Sequence, residues 1–361
     1  MRVLVAPDKF AGTLTAVEAA RAIAEGWARQ APDDELDLAP MADGGPGFVD
    51  VLHAALGGEL SAVTVTGPHA ERVPGTVLRV GEQAFVESAQ ACGLALTGGE
   101  RAESATTWGV GELVMHAIEA GATDIVVGLG GSGTNDGGMG LLGALGATAD
   151  RPLDGGTAAL AGVTALDLTP ARTRVQGIRL VAASDVDNPL TGLFGATKTF
   201  GPQKGIAEDR LPVVDGVLEE LAAATDRRTA LDKGAGAAGG LGFALLLLGA
   251  TRRPGFDVVA EAVALAGRAR TADLVVTGEG AFDFSSRSGK VPYGVATVAA
   301  EALRPCVALA GRVLVGSREM RALGIESAYS LVDLVGEERA LGDPSGSLAD
   351  LAARVARTWS H

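Results

Sequence analysis

The alternation of apolar and polar positions along the chain predicts an α/β protein. Short apolar runs at 2–6 and 35–39 each lead into a loop of small or polar residues and then into a helical pattern. Thr15 and Glu18 have the spacing of a capping box, so a helix is predicted from there to about Gln30. This β-loop-α alternation favours a parallel sheet that binds ligands at the carboxyl ends of its strands.

The middle of the chain follows a different pattern. Three short strand-like runs occur without long helices between them, at 62–66, 76–80 and 84–88. Their spacing predicts a mixed or antiparallel sheet. We therefore expect a doubly wound parallel-sheet domain formed by both chain ends, residues 1–60 and 255–361, with a mixed-sheet α/β domain, residues 61–254, inserted between them.

The same patterns predict the remaining elements. Strands are expected at 124–128, 180–183, 274–277, 306–310 and 328–332, and helices at 48–56, 111–120 and 291–302. A Gly/Ala-rich loop at 234–249 runs into an apolar helix. Most of the predicted strands end in glycines or polar residues, and loops at one edge of a parallel sheet converge in space.

Composition narrows the class of protein. The formal net charge of −14 disfavours nucleic-acid binding, which usually needs a basic face. The longest apolar run, 241–250, is too short to cross a bilayer, and the N-terminus has no secretory signal pattern. We expect a cytoplasmic protein, a monomer or a homodimer, with neither nucleic-acid nor membrane partners. Cys92 and Cys306 fit no metal or disulfide spacing and are expected to be buried thiols.

The few lysines are candidates for binding phosphate. All five lie in or beside loops of small residues: Lys9, Lys198, Lys204, Lys233 and Lys290. A lysine is a compact point charge that suits phosphate, although many lysines are simply solvated.

The segment 126–138, VVGLGGSGTNDGG, is the strongest local signal for such a site. Its glycines let a ligand approach the backbone, and its small polar side chains can hold phosphate oxygens or a metal ion. Other strand ends also carry polar residues, namely Asp8, Asp43, Glu87, Asp185, Asp187, Asn188, Glu279 and Asp283. A single aspartate in a loop is more often a cap or turn residue. The whole set, together with lysines and glycines, favours Mg²⁺-dependent phosphoryl transfer.

Other chemistries are disfavoured. The four histidines have no partner spacing, and no G-x-S-x-G elbow is present. A Rossmann dehydrogenase would carry a glycine fingerprint after the first strand, where this chain has Pro7-Asp8-Lys9-Phe10.

Several ordered blocks carry a resemblance to a known family. The chain reads APDKFAGTL from Ala6, PMADGGPG from Pro40, VESAQACGL from Val86, GGSGTNDGG from Gly130, DVDNPL from Asp185, FGPQKG from Phe200, GAGAAGGLG from Gly234, and TGEG with Asp283 and GKVP from Thr277. Together they resemble the type 1 glycerate kinase family, whose motifs include APDxFKGSL, PMADGGEGT, GGSATNDGG, CDVxNPL, FGPQKGA and TGEGxxDxQTxxGKxP.

The resemblance implies a flavodoxin-like domain with an inserted α/β domain. It also implies ATP-dependent phosphorylation of D-glycerate, usually at the 2-hydroxyl, giving 2-phosphoglycerate and ADP with Mg²⁺. This sequence departs from the family motifs at Ala11, Pro46, Ala281 and the pair Ser285-Ser286. Lys9 could replace the lysine missing at Ala11, and Arg287 the arginine missing at Ala281.

These observations define an expected site in a cleft between the two domains. Asp185 is expected to be the base that takes the glycerate hydroxyl proton, or else a turn cap, and Lys290 and Lys204 to neutralise the transferred group or the glycerate carboxylate. Asp136 and Asp283 are the expected Mg²⁺ ligands. Backbone N–H groups of 130–134 are expected to hold phosphate oxygens. The expected substrate- and phosphate-binding residues are Asp8, Lys9, Asp43, Gly44, Gly130, Gly131, Ser132, Thr134, Asn135, Asn188, Gly278 and Glu279.

Two alternatives remain open at this point. The acceptor could be the 3-hydroxyl of glycerate or a related small hydroxy acid. The departures at Ala11, Pro46 and Ser285-Ser286 would also suit a non-catalytic nucleotide or metabolite sensor derived from a kinase.

Overall fold

The computed structural model describes residues 1–10, 12–283 and 290–360, which form two compact units. The first unit comprises Met1–Asp43, Asp50–Leu56 and Phe256–His361. The second comprises Gly44–Val49 and Gly57–Gly255. The predicted domain limits, 1–60 with 255–361 and 61–254, do not anticipate that 44–49 belongs with the second unit.

The strands of the described residues are named here in chain order. They are β1 (Arg2–Val5), β2 (Glu35–Leu38), β3 (Glu59–Thr66), β4 (Arg72–Val80), β5 (Gln83–Glu87), β6 (Asp124–Gly128), β7 (Thr148–Ala149), β8 (Leu166–Asp167), β9 (Arg179–Ala183), β10 (Thr251–Arg253), β11 (Leu274–Phe282), β12 (Cys306–Val313) and β13 (Ser327–Ser330).

The helices of the described residues are numbered in the same way. They are α1 (Ala16–Gln30), α2 (Phe48–Leu56), α3 (Ala89–Cys92), α4 (Leu94–Thr97), α5 (Trp108–Glu119), α6 (Met139–Ala144), α7 (Gly156–Ala159), α8 (Thr169–Arg174), α9 (Ala196–Phe200), α10 (Leu211–Ala224), α11 (Leu241–Leu247), α12 (Gly255–Ala262), α13 (Leu265–Thr271), α14 (Val291–Glu301), α15 (Ser317–Ala322), α16 (Leu331–Val335), α17 (Glu337–Gly342) and α18 (Pro344–Trp359). Short 3₁₀ turns lie at Ala102–Ser104, Pro202–Lys204, Thr229–Leu231 and Ala237–Gly240.

The first unit contains a five-stranded parallel sheet in the order β2-β1-β11-β12-β13. Counted within the unit, this is the flavodoxin-like order 2-1-3-4-5, so the predicted fold class is confirmed. The strand order reverses between β1 and β11, where Val3 pairs with Leu274. In open α/β sheets, ligands bind outside the carboxyl ends of the strands at such a switch point.

Helix α1 shows how local sequence and packing agree in this unit. Glu18 N–H donates to Thr15 Oγ1 at 3.2 Å, and Thr15 N–H donates to Glu18 Oε2 at 2.9 Å, so the predicted capping box is confirmed. The apolar face includes Ile23 and Trp27, which are fully buried. A Cβ at Gly26 would lie 1.9 Å from the backbone oxygen of Ala349 in α18, so glycine permits the close packing of the two helices.

The second unit contains a six-stranded mixed sheet in the order β10-β9-β6-β5-β4-β3. Strands β5, β6, β9 and β10 run parallel to one another, whereas β3, β4 and β5 are joined as antiparallel hairpins. The predicted mixed sheet is therefore confirmed. Its core is rich in valine, leucine and alanine, as the scarcity of aromatic residues in the sequence suggested.

Two predicted strand ends are corrected. Strand β11 was expected to stop at Thr277, but it continues to Phe282 because its second half pairs with β12. The run 328–332 was expected to be one strand, but β13 ends at Ser330. Ser330 Oγ accepts a hydrogen bond from Asp333 N–H and begins α16. Helices α10 and α18 were not predicted.

Among the described residues, none of the helices combines the length and the apolar composition needed to cross a membrane.

Candidate functional site

Three of the predicted binding residues of the first unit form one group, called here the Lys9 group: Asp8, Lys9 and Asp43. Lys9 Nζ lies 3.6 Å from Asp8 Oδ1 and 3.8 Å from Asp43 Oδ1. Asp8 is only 7% exposed, and burial raises the pKa of its carboxyl to about 6. The Lys9 ammonium opposes this pKa shift, and the Asp43 carboxylate adds to it. The group follows β1 and β2, at the carboxyl edge of the parallel sheet.

A second group, called here the Lys290 group, consists of Glu279, Asp283 and Lys290. Lys290 Nζ lies 4.0 Å from Glu279 Oε2 and 3.8 Å from Asp283 Oδ1. Glu279 lies in the extended part of β11, and Lys290 is the N-cap residue of α14. The sequence predicts a loop at Gly278 and Glu279. In the structure both residues belong to strand β11.

Gly278 connects the two groups through the backbone. Its carbonyl oxygen accepts a hydrogen bond from Asp8 N–H at 2.8 Å. A Cβ at this position would lie 2.2 Å from the backbone oxygen of Leu309 in β12, so only glycine fits without a shift. Glycine at this position thus permits a close backbone approach between β11 and β12, and the part of Gly278 in binding substrate or phosphate stays a prediction.

The balance of charge in these groups favours a divalent cation. Each group holds two carboxylates and one ammonium, a formal charge of −1. Across the part of the chain that the structure describes, three or more His, Cys, Asp or Glu residues do not come together as a metal cluster. Mg²⁺ commonly uses one or two protein carboxylates and takes its other ligands from water and phosphate. The pair Glu279 and Asp283 fits that donor set.

In the second unit, Gly44 contacts the Gly-rich loop that follows β6. The carbonyl oxygen of Gly44 accepts a hydrogen bond from Gly130 N–H at 3.0 Å. A Cβ at Gly130 would lie 2.5 Å from Cα of Gly45, so the two glycine segments pack backbone to backbone. Gly131 is exposed and has φ +76°, a conformation that favours glycine.

The rest of this loop is buried, which limits the access of an anion to it, and the predicted cradle of backbone N–H groups stays a prediction. The N–H groups of Gly130 and Gly133 already donate to protein carbonyls, and Ser132, Thr134 and Asn135 have buried side chains. Asn135 Nδ2 donates to Thr197 Oγ1 at 3.0 Å. A ligand can therefore reach the Gly130–Gly131 turn, whereas the side chains of Ser132 and Asn135 are hydrogen-bonded inside the unit.

Lys204 braces this loop from inside the unit. Its side chain is 2% exposed, and Nζ donates to Thr134 O at 2.7 Å and to Ser132 Oγ at 3.1 Å. Burial lowers the pKa of Lys204 to about 8, an effect that the nearby Cys92 and Asp136 oppose. An ammonium enclosed in this way does not fit the predicted contact with a transferred phosphoryl group.

Asp136 is likewise enclosed, which does not fit its predicted role as a metal ligand. The side chain is fully buried, and its oxygens accept four hydrogen bonds, from Thr107 N–H and Oγ1, Gly138 N–H and Gly140 N–H. Burial raises the pKa of this carboxyl, and the four donors oppose that pKa shift. The carboxylate thus fixes the start of α6 against α5.

Asp185 and Asn188 follow β9, the strand next to β6. Leu129 N–H donates to Ala183 O at 3.1 Å, so the segment after β9 and the Gly-rich loop leave the same edge of the sheet. Asp185 is half-buried. Asn188 Nδ2 donates to Phe194 O at 2.7 Å and stabilises its own loop. The catalytic role of Asp185 stays a prediction.

Two further findings bear on the expected site. Ala11, Ser285, Ser286 and Arg287 lie outside the described residues, so the proposed replacement of a family arginine by Arg287 stays a prediction. The sequence analysis missed Arg312, which pairs in register with Ala281 across β11 and β12. Only the order of the strands reveals that Arg312 neighbours the position where the family motif has arginine.

The fold and these residues define an α/β enzyme with lysine–carboxylate groups at the carboxyl edge of a flavodoxin-like sheet. The model of the glycerate kinase family matches residues 3–360. This chain belongs to the glycerate kinase family and is therefore a kinase.

Individual relatives agree with this assignment over nearly the whole chain. An uncharacterized protein of Mycobacterium tuberculosis is 41% identical, covering 99% of this chain and 91% of the relative. The glycerate 2-kinase of Escherichia coli is 37% identical, covering 93% of this chain and 92% of the relative. The crystal structure of a candidate glycerate kinase 2 from Salmonella typhimurium LT2 matches with a TM-score of 0.82 and 36% identity, covering 99% of this chain and 98% of that one.

Proposed function

We propose that this kinase transfers the γ-phosphoryl group of ATP to the 2-hydroxyl of D-glycerate, giving 2-phosphoglycerate and ADP. The observation that carries the proposal is the similarity to the Escherichia coli glycerate 2-kinase, 37% identity over 93% of this chain. The lysine–carboxylate groups of the first unit support it, because phosphoryl transfer depends on positioning and on charge stabilisation.

Lys9 and Lys290 are the proposed contacts to the anionic substrates. Both ammonium groups lie at the carboxyl edge of a parallel sheet and are partly exposed, with 25% and 34% of their side chains accessible. The carboxylates of Glu279 and Asp283 would hold Mg²⁺ together with phosphate oxygens. Bound there, Mg²⁺ would neutralise the charge that develops on the phosphoryl oxygens.

Asp185 is the proposed general base. It would accept the proton of the 2-hydroxyl as the hydroxyl oxygen attacks the γ-phosphorus and the bond to the ADP oxygen breaks. Its half-buried position directly after β9, beside the glycine turn at Gly130–Gly131, supports this role. Lys204 and Asp136 are proposed as positioning residues that keep that turn in place.

A test of Asp185 compares two neighbouring aspartates. Asp185→Asn should lower kcat by about 10²–10⁴-fold with a modest change in KM, because it removes a general base. Asp187→Asn is the matched control, since Asp187 is 58% exposed and pairs with Lys233 and Arg252. Near-normal turnover of Asp185→Asn, or an equal loss in both variants, would remove Asp185 from the role.

The proposed reaction itself is tested with the purified full chain, ATP, Mg²⁺ and D-glycerate. A coupled assay should detect ADP release that depends on glycerate, and NMR of the product should place the phosphate on carbon 2. Phosphate on carbon 3 would support the alternative acceptor. Without glycerate-dependent ADP release, the chain would instead fit a sensor derived from a kinase.

A further inference from the structure

A cavity of about 270 Å³ opens at the carboxyl edge of the sheet in the first unit. Its walls come from the loop after β1, the ends of β11 and β12, and the helices α16 and α17. The residues that matter here are Phe10, Ala281, Arg312, Leu331, Ala340 and Leu341. Most of these side chains are apolar, in contrast to the charged groups that lie next along the same sheet edge.

The floor of the cavity is formed by backbone. A Cβ at Gly311 would lie 2.4 Å from the backbone oxygen of Gly280, so β12 has no room for a side chain at that position. Ala281, the next residue of β11, adds only a methyl group and is exposed. Gly280, Gly311 and the methyl group of Ala281 therefore leave this part of the cavity without bulky side chains.

Charged side chains lie on either side of this apolar space. Arg312 lines the cavity, is 49% exposed and forms an ion pair with Glu337. Phe10 directly follows Lys9, and Ala281 on β11 lies between Glu279 and Asp283 in the sequence. Lys9 is thus next to a residue of the cavity wall, and Lys290 Nζ lies 4.0 Å from Glu279 Oε2 and 3.8 Å from Asp283 Oδ1, the residues two positions before and after Ala281.

We propose that this cavity receives the purine base of the nucleotide, with the phosphates extending towards Lys9 and Lys290. The proposal rests on the proposed use of ATP. The cavity is smaller than the roughly 300 Å³ at which pockets begin to enclose whole drug-sized ligands, so it suits a planar ring rather than a complete nucleotide. Ala281 and Leu341 line the cavity with exposed apolar side chains that suit the faces of such a ring.

A second cavity in the first unit is the rival location. It measures about 350 Å³ and is lined by residues that include Leu38, Pro40, Ala55 and Arg268. Arg268 there is held by Asp37 and donates to Leu38 O at 2.6 Å, so its guanidinium is already engaged inside the unit. Both cavities hold an arginine in an ion pair, but the side chain of Arg268 is 26% exposed, whereas that of Arg312 is 49% exposed.

The test places tryptophan at three alanines that are all exposed. Ala281→Trp fills the proposed cavity, Ala55→Trp fills the rival one, and Ala300→Trp on α14 is the neutral control. Titration calorimetry with ADP and Mg²⁺ should give a Kd at least about tenfold weaker for Ala281→Trp, and wild-type values for the other two. Inhibition of turnover by inorganic pyrophosphate should be equal in all four proteins, because pyrophosphate has no base.

A milder variant guards against misfolding. Leu341 is 62% exposed at the rim, and Leu341→Ala should weaken ADP about two- to threefold by removing part of the apolar wall. Loss of ADP binding in Ala55→Trp instead of Ala281→Trp overturns the proposal, as does an equal loss of ADP and pyrophosphate binding. If the wild type releases ADP with glycerate while Ala281→Trp keeps its ADP affinity, only this inference fails; without that release in the wild type, the proposed function fails first.

Discussion

At the scale of single residues, the lysines divide into two kinds that the sequence does not distinguish. Lys9 and Lys290 are partly exposed beside carboxylates, whereas Lys204 is enclosed and holds Thr134 and Ser132. All of them follow small-residue loops in the sequence. The difference arises from packing between segments far apart in the chain, and local sequence carries no information about it. The predicted buried thiols are confirmed, since burial raises the pKa of Cys92 and of Cys306 to about 12.

The raised pKa of Asp8 gives a prediction about stability and pH. The folded state takes up a proton near pH 6, whereas an unfolded aspartate does so near ~3.9. The contribution of this group to the free energy of unfolding should therefore increase as the pH falls through 6 and be absent above it. The Asp8→Asn variant lacks this titration. Its free energy of unfolding minus that of the wild type should therefore become smaller as the pH is lowered from 7 to 4.5.

Urea unfolding of both proteins at several pH values measures this difference. The change should amount to a few kcal/mol at most, since one pKa unit corresponds to about 1.4 kcal/mol. A difference that stays constant with pH, or that rises as the pH falls, would contradict the raised pKa of Asp8.

At the scale of elements, the sequence predicts best those boundaries that local interactions determine. The capping box of Thr15 and Glu18 is a local interaction, so α1 begins where expected. The end of β11 depends on its neighbour, because pairing with β12 extends it past Gly278 to Phe282. The local sequence at Gly278 and Glu279 predicts a loop because it contains no information about pairing with β12. The candidate site residues nevertheless lie at or near the predicted strand ends. The rule that ligands bind at the carboxyl ends of parallel strands holds even when the strand lengths are not predicted correctly.

Two glycines of the second unit should respond oppositely to the same substitution. Gly130→Ala places a Cβ 2.5 Å from Gly45 Cα, so the two glycine segments must separate, and we expect a loss of about 2 kcal/mol or more. Gly216→Ala lies within α10, where a Cβ would meet nothing within 4 Å, and should stabilise the protein by about 0.5–1 kcal/mol. Denaturant midpoints of the full-length variants compare the two.

Activity provides the second readout for this pair. Gly130→Ala should also lower turnover, because it displaces the Gly130–Gly131 turn, while Gly216→Ala should keep wild-type turnover. If both variants changed the free energy of unfolding by the same amount and with the same sign, the close packing of Gly130 against Gly45 would not affect stability.

At the scale of the whole molecule, charge poses a problem that a metal ion can resolve. The chain has a formal net charge of −14, and the Lys9 and Lys290 groups each carry a formal −1. An anionic nucleotide therefore meets negative charge both at long range and at the site. The negative net charge of the chain could be predicted from composition alone. The pairing of each lysine with two carboxylates could be seen only in the folded structure.

Removal of Mg²⁺ should consequently weaken the binding of ADP to the full chain. We expect the Kd measured in EDTA to rise at least about tenfold over that in Mg²⁺, because the ion offsets like charges in close contact. Equal ionic strength supplied as NaCl is the control, and it should restore little of the affinity because it screens charge without bridging the groups. Identical affinities in EDTA and Mg²⁺ would refute this account of the charge balance.

The strand order of the first unit also dictates when that unit can assemble. Thr277 Oγ1 donates to Ala6 O across a sequence separation of 271 residues, and β1 lies between β2 and β11 in the sheet. During synthesis on the ribosome, β1 and β2 emerge first. The other strands of the sheet, β11, β12 and β13, emerge only after all of Gly57–Gly255. Strand β1 can thus pair with β2 early, but its other edge, which binds β11 in the native sheet, remains open to other chains until β11 emerges.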